Sequence, residues 1–139
     1  MSLCLGTQYT DATAATSDMD GMTNTATLVG HTSHSHPAAK AARDFKYKDD
    51  VDAGAHPSGT SGWFLPSAGQ WDKMTGTGGY GTANIMHTSG DYTGLEEAGY
   101  WLSTEKDKDN AWNFIIGQNV GVASSAKHSS VHVRSCLAF

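Results

Sequence analysis

The chain has 139 residues, a mass of 14.7 kDa and a formal net charge of −5 from 14 acidic and 9 basic side chains. That length suits one domain with its own core, the charges lack the basic stripe that a nucleic-acid backbone requires, and no run approaches the roughly 18 apolar residues of a membrane helix. Apolar residues make up only 38%, and Gly, Ser and Thr fill the deficit, which predicts long loops between short elements and no nucleic-acid partner.

Met1-Ser2-Leu3 reads as a vector-derived start, so the domain itself is expected over 4–139, with room for a leader, an anchor or an upstream domain of the same chain before it. Residues 4 to 30 carry few large apolar side chains and predict a short strand near Cys4 to Tyr9 followed by a long irregular segment. Asp18-Met19-Asp20-Gly21 is a turn signal. Alternate acids before a Gly also begin a calcium-binding EF-hand loop, but the twelfth position of that pattern is Val29, which has no carboxylate. His31, His34 and His36 put three imidazoles, good zinc donors, within six residues. With no acidic or Cys ligand near them in sequence they read as a solvated polar loop, and no metal or other cofactor is expected.

From Pro37 the pattern turns helical, with Ala38, Ala42 and Phe45 on one stripe and Lys46 and Lys48 in the last turn, where cations face the negative end of the helix dipole. Asp49 to Gly62 is a loop rich in Asp, Gly and Pro. Trp63 and Leu65 then form an extended lead-in to the core, and Pro66 blocks a helix before Ser67. Ser67 and Gln70 make a capping box, so a second helix starts at Ala68 with Trp71 and Met74 on its buried side. Gly76 to Gly81 ends it, and residues 82 to 99 read as a long loop in which Glu96 and Glu97 are a solvated charge pair rather than calcium ligands.

Tyr100 to Phe139 alternates apolar and polar side chains, the signature of an antiparallel meander with strands at 100–104, 111–116, 120–123 and 131–137. Period two places Trp112, Phe114, Ile116, Val120, Val122, Val131, Val133 and Leu137 on one dry face. The opposite face and its loops display Lys106, Asp107, Asn110, Asn113, Ile115, Gln118, Asn119, Lys127, His128 and His132, the candidate ligand-binding set. Ile115 is the one apolar member of that face. Catalysis finds little support, because no nucleophile elbow and no HExxH run occurs, and His128 and His132 beside Ser129, Ser130 and Ser135 fit a polar strand edge. The two cysteines, Cys4 and Cys136, leave two readings open: a disulfide that closes almost the whole chain, contributing about 4 kcal/mol in the chain-entropy description, or two small buried hydrophobes.

Trp63, Leu65, Pro66, Ser67, Tyr100, Trp101, Ser103, Thr104, Ala111, Trp112, Val133, Arg134 and Phe139, in that order and with that finish, resemble the C-type lectin-like fold. The likeness is to the version shared by the fibrobacter-type major paralogous domain, gut-bacterial surface lipoproteins and retroelement-diversified variable proteins. It covers nearly all of the chain from the first helix onward. The resemblance implies an α+β domain with two helices packed on a small twisted antiparallel sheet, long loops and paired terminal strands, which would make Cys4 and Cys136 neighbours. Structural roles are expected for Trp63, Pro66, Ser67, Trp101, Trp112, Arg134 and Phe139, and for Gln70 through its capping box, with the resemblance implying that Arg134 holds loop carbonyls or a carboxylate.

A secreted or surface-anchored bacterial or phage-related recognition or adhesion domain follows as the expectation, binding an unknown protein or glycan through its C-terminal strands, with a structural adhesin-tip module as the alternative. The departures narrow it. Sugar-binding lectins of this fold carry Trp-Asn-Asp at a calcium site, whereas Trp112-Asn113 is followed by Phe114. The related formylglycine-generating enzymes use a cysteine pair, and Cys136 is alone in the second half of the chain.

Overall fold

The computed structural model describes residues 5–75, 96–116 and 121–139. Cys4, Gln118 and Asn119, and with them the Gly76 to Gly81 turn, Val120 and most of the 82–99 loop, lie outside the described residues. Within them the protein is α+β, with four helices and one three-stranded antiparallel sheet.

The segment before residue 30 is more regular than its composition predicts. Two aspartates start two helices: Asp11 accepts a hydrogen bond from the Ala14 amide (2.8 Å) to cap α1 (Ala12–Ala15), and Asp20 accepts one from Thr23 (3.2 Å) to cap α2 (Gly21–Gly30). Only Gly21 and Thr25 of α2 are buried, so the helix carries no apolar stripe for periodicity to detect. Among the described residues, the strand expected near Cys4 to Tyr9 is a parallel bridge from Gln8 to Glu105, with the Tyr9 amide donating to the Glu105 carbonyl.

Helix α3 (Pro37–Arg43) begins at its proline but stops well short of Lys48. Lys40 and Arg43 converge on Asp44, which ends the helix, and the Arg43 and then the Lys40 hydrogen bonds hold its carboxyl down at about 2. Phe45 therefore leaves the helical stripe and meets Trp63 edge-on, ring centroids 4.8 Å apart. Trp63 in turn donates to the Ala55 carbonyl (2.7 Å), so it pins the 44–62 loop, while Leu65 and Pro66 enter the core. Helix α4 (Ala68–Thr75) starts as its capping box predicts, with the Ser67 amide donating to Gln70 Oε1 (3.0 Å) and the Gln70 amide to Ser67 Oγ (3.3 Å). Trp71 is buried, whereas Met74, expected beside it, is exposed.

Strands β1 (Gly99–Glu105), β2 (Asn110–Ile115) and β3 (Gly121–Ala126) form the meander in that order, with a bulge in β1 between Trp101 and Glu105. The fourth strand expected over 131–137 is absent among the described residues. That segment instead makes two isolated bridges, His132 parallel to Tyr100 and Cys136 antiparallel to Phe64. The described part of the N-terminal segment thus attaches to β1, and the C-terminal segment to β1 and to the extended stretch before α4. Cys136 carries a free thiol and its backbone pairs with Phe64, while Cys4 lies outside the described residues.

The sheet has no wet face where β1 runs, because β1 is covered on both sides. Tyr100, Leu102, Trp112, Phe114 and Ile116 join Trp71, Ala68 and Ala15 in the larger core, while Trp101 points the other way into a second core with Ala42 and Leu65. Val131 and Val133 pack into that second core, on the face opposite to the one alternation assigns them. Asn113, expected on an open face, is buried and donates to Ser125 Oγ (2.7 Å).

Asp18 links these parts. Its buried carboxylate accepts from Thr104 Oγ1 (2.7 Å), Asn24 Nδ2 (2.8 Å) and the Asp20 amide (3.1 Å), and its carbonyl accepts from Ser67 Oγ and the Gly69 amide. Thr104 also accepts from the Ala68 amide (2.9 Å), one of the orphan donors of a helix start. What reads as a turn in sequence is a joint between two helices and strand β1. Two residues assigned structural roles stand outside the fold: Phe139 is fully exposed, and Arg134 is exposed with no hydrogen bond or ion pair among the described residues. No helix of the described residues is long and apolar enough to cross a membrane.

Candidate functional site

The eight described residues of the expected ten-residue binding face do not meet in one place. Lys106, Asp107 and Asn110 lie at the β1–β2 turn, and their groups are largely engaged there. The Asp107 carboxylate accepts from the Asp109 and Asn110 amides and from Asn110 Nδ2, which holds it below the usual carboxylate range, the Asn110 side chain being the main cause. Lys106 donates to Ser124 (3.0 Å) and sits over the Trp112 ring, 5.0 Å from its centroid. Asn113 is buried, Ile115 lies half-buried at the far end of β2, and His132 places its exposed ring edge-on against Tyr100 at 5.5 Å. Gln118 and Asn119 fall outside the described residues. Lys127 and His128 line a cavity.

That cavity is a cleft of about 750 Å³ beneath the sheet face that carries Trp101. Three pieces of chain build it. One wall is the end of α2, the linker through His34 and His36, and the first turn of α3, whose Pro37 fixes the direction of entry. The other wall is Lys127 to Val131, the turn after β3. Trp101, Leu65 and Val133 form an apolar floor. Apolar floor with a few polar groups at the rim is the composition of small-ligand sites, and the volume falls in their range.

The charged end of the cleft is already employed by the fold. Lys127 Nζ lies 2.7 Å from Glu105 Oε1, and Glu105 Oε2 accepts from the Leu5 (2.8 Å) and Gly6 (3.0 Å) amides, so this carboxylate ties the N-terminal segment to the sheet. The pair is nearly enclosed, with side-chain exposures of 22% for Lys127 and 7% for Glu105, so breaking it leaves a buried charge. The groups left for a ligand are His34, His36, His128, Ser129 and Ser130.

The histidines of the linker depart from the solvated loop that their sequence suggests. Each of the three rings is half-buried; His31 stacks with His34 at 5.3 Å between centroids and meets His36 edge-on at 5.7 Å. Burial, and next the neighbouring His31, push His36 below the usual imidazole range, with Glu105 opposing. The run of histidines just before a helix-starting proline was the visible signal, but the sequence alone does not bring the linker against Glu105 and Lys127.

Ser135, considered beside His132, donates instead to the Ala42 carbonyl (3.0 Å). Cys136 is likewise remote from any reactive arrangement: burial pushes its thiol up to about 11, against a small opposing effect of Arg134. No protein-family model matches the chain, and comparison with curated proteins and with solved structures returns no match to either.

Proposed function

We propose that this is a non-catalytic recognition or adhesion domain of C-type lectin-like fold, from a secreted or surface-anchored bacterial or phage-related protein, that binds a protein or glycan ligand at the cleft between the α2–α3 linker and the turn after β3. The observation that carries the reading is the cleft itself: an apolar floor at Trp101 with histidine and serine groups at its rim that the fold does not use. The capping box at Ser67 and Gln70, the two-sided burial of β1 and the attachment of the C-terminal segment to the core support the fold assignment. The binding surface moves from the strands' outer face, where Asn113 is buried, to the sheet end where Lys127 and His128 lie.

The test is a combined glycan and protein array with wild type, His128→Ala and Ser130→Trp, the latter filling the rim from an exposed position, and Tyr47→Ala as an off-cleft control. Binding lost in both cleft variants and kept in the control is expected. Binding that survives both cleft variants refutes the site, and binding confined to an upstream segment of the same chain points to the adhesin-tip module.

A further inference from the structure

His132 shares both of its main-chain groups with β1: its amide donates to the Gly99 carbonyl (3.0 Å) and its carbonyl accepts from the Trp101 amide (2.9 Å). Cys136 does the same with Phe64, at 2.9 Å in each direction. Two such bridges on one side of the segment, an even number of residues apart, are what an extended chain of period two gives. Val131, Val133 and Ser135, in the other phase, therefore turn their N–H and C=O groups away from β1. Among the described residues nothing bonds those groups. Space lies beside them, since Val131 and Val133 line the cleft and all three residues are only half-buried.

An open edge repeats its donor and acceptor about every 6.7 Å, and the complement of that pattern is another extended backbone. The run Val131-His132-Val133-Arg134-Ser135 has no proline to block such pairing. Its valines go inward toward Trp101, whereas His132 and Arg134 are exposed on the opposite face. Those outward side chains discriminate between occupants. A second copy paired antiparallel through the same edge would bring Arg134 opposite His132 when centred on Val133, or opposite its own copy when centred on itself, and neither neutralises the guanidinium. A strand that carries carboxylates at those positions does, and opposite charges across a strand pair are stabilising.

We propose that an extended, acidic segment of a partner protein adds as a strand to the open edge from Val131 to Ser135, with its carboxylates beside Arg134. This rests on the cleft as the binding site and narrows its ligand from protein or glycan to an extended peptide. Main-chain hydrogen bonds to Val131, Val133 and Ser135 supply the affinity, and the outward carboxylates supply selectivity.

The full chain is titrated with a capped peptide of alternating valine and glutamate, with its lysine-for-glutamate analogue, and with the glutamate peptide N-methylated at one or the other set of alternate amides. Calorimetry gives affinity, and amide exchange is followed residue by residue. The glutamate peptide should bind about fivefold or more tighter than the lysine analogue, and N-methylation should weaken it tenfold or more for one set of amides only. Exchange should slow at the Val131, Val133 and Ser135 amides. Arg134→Glu, a change at an exposed side chain, should reverse the preference toward the lysine analogue, and Ser130→Trp should weaken both peptides by filling the cleft rim. Alternate protection that survives Ser130→Trp supports strand addition while removing the cleft from it. Cleft-dependent binding on the array without protection at the three amides overturns strand addition and leaves the cleft standing. No binding at millimolar glutamate peptide, an unmoved preference in Arg134→Glu, or a concentration-dependent dimer that protects the same three amides also overturns it.

Discussion

Gly69 and Gly30 are both glycines in helices, and the structure assigns opposite signs to their replacement by alanine. In an exposed helix interior the change gains up to about 1 kcal/mol, because glycine has more backbone freedom to lose on folding. A Cβ at Gly30 would meet nothing within 4 Å, so Gly30→Ala should realise part of that gain. A Cβ at Gly69 would collide with the Asp18 carbonyl oxygen, and would stand 2.5 Å from the Thr16 oxygen and 2.6 Å from Met19 Sδ. Two of the three obstacles are backbone, held in place by the Gly69 amide and the Ser67 hydroxyl, which both donate to the Asp18 carbonyl at 2.9 Å and 2.7 Å. Relieving the clash means moving the 16–18 segment and losing those bonds at about 1 kcal/mol each, on top of overpacking strain of about 1–3 kcal/mol. The net expectation is a loss of about 2–4 kcal/mol, which for a domain of this size lowers the unfolding midpoint by roughly 7–14 °C. Urea and thermal unfolding of the two variants measure it. A Gly69→Ala protein that unfolds at or above the wild-type midpoint, with an unchanged urea slope, refutes the close approach of α4 to the Asp18 joint.

Thr104→Val keeps the shape of the side chain but removes one of the two side-chain donors to Asp18 Oδ2 and orphans the Ala68 amide; a loss of about 1–3 kcal/mol is expected in urea unfolding, and less than about 0.5 kcal/mol would show that the joint is not cooperative. Arg134→Ala should change stability by less than about 0.5 kcal/mol, because the exposed guanidinium holds nothing among the described residues; a drop beyond 1 kcal/mol would restore the structural role that the family resemblance implies. Cys136 should resist a thiol reagent at pH 8 in the native protein and react at once in urea, and since its folded value is raised to about 11, its contribution to stability is present at neutral pH and declines as pH rises from about 9. His36 has the opposite sign: its value is lowered from the ordinary 6.5, so the unfolded chain binds the extra proton first and stability falls as pH drops below that value. Comparing unfolding midpoints of wild type and His36→Asn between pH 7.5 and 5 checks this, and parallel pH profiles would contradict it.

Elements whose signal is local were legible in the sequence. The capping box at Ser67 and Gln70, the proline start of α3 and the first three strands of the meander each follow from residues within a few positions of one another. The misses share one cause, dependence on partners distant in sequence. Helix α2 has no apolar stripe because it is fixed through hydrogen bonds, Thr25 Oγ1 accepting from the Leu65 amide 40 residues away and Gln70 accepting from the Gly21 amide. Alternation placed Val131 and Val133 beside Trp112 on the assumption of a regular fourth strand; isolated bridges at His132 and Cys136 free the segment to turn its valines toward Trp101. The candidate site suffered the same way. Lys127 and His128 were visible as polar residues after a strand, but the wall that faces them is a linker nearly a hundred residues earlier.

The two walls of the cleft differ in how they are held, and that difference bears on recognition. The turn after β3 is anchored by the Lys127 amide to the Asp109 carbonyl (2.8 Å), by the Lys127–Glu105 pair and by the Ser129 amide to Ala126. It is a fixed surface that can hold a ligand in register at little ordering cost. The linker from His31 to His36 is fixed at its two ends by α2 and α3, and its three buried imidazole nitrogens make no hydrogen bonds. Any group that satisfies those nitrogens gains contacts the fold itself does not provide, so the free energy of binding at this wall is not offset by breaking existing hydrogen bonds. An alternative surface on the outer strands lacks this property, because Asn113, Asp107 and Lys106 would each have to exchange a partner within the protein for one in the ligand. The balance of satisfied and unsatisfied groups therefore favours the cleft over the strand face that alternation first suggests.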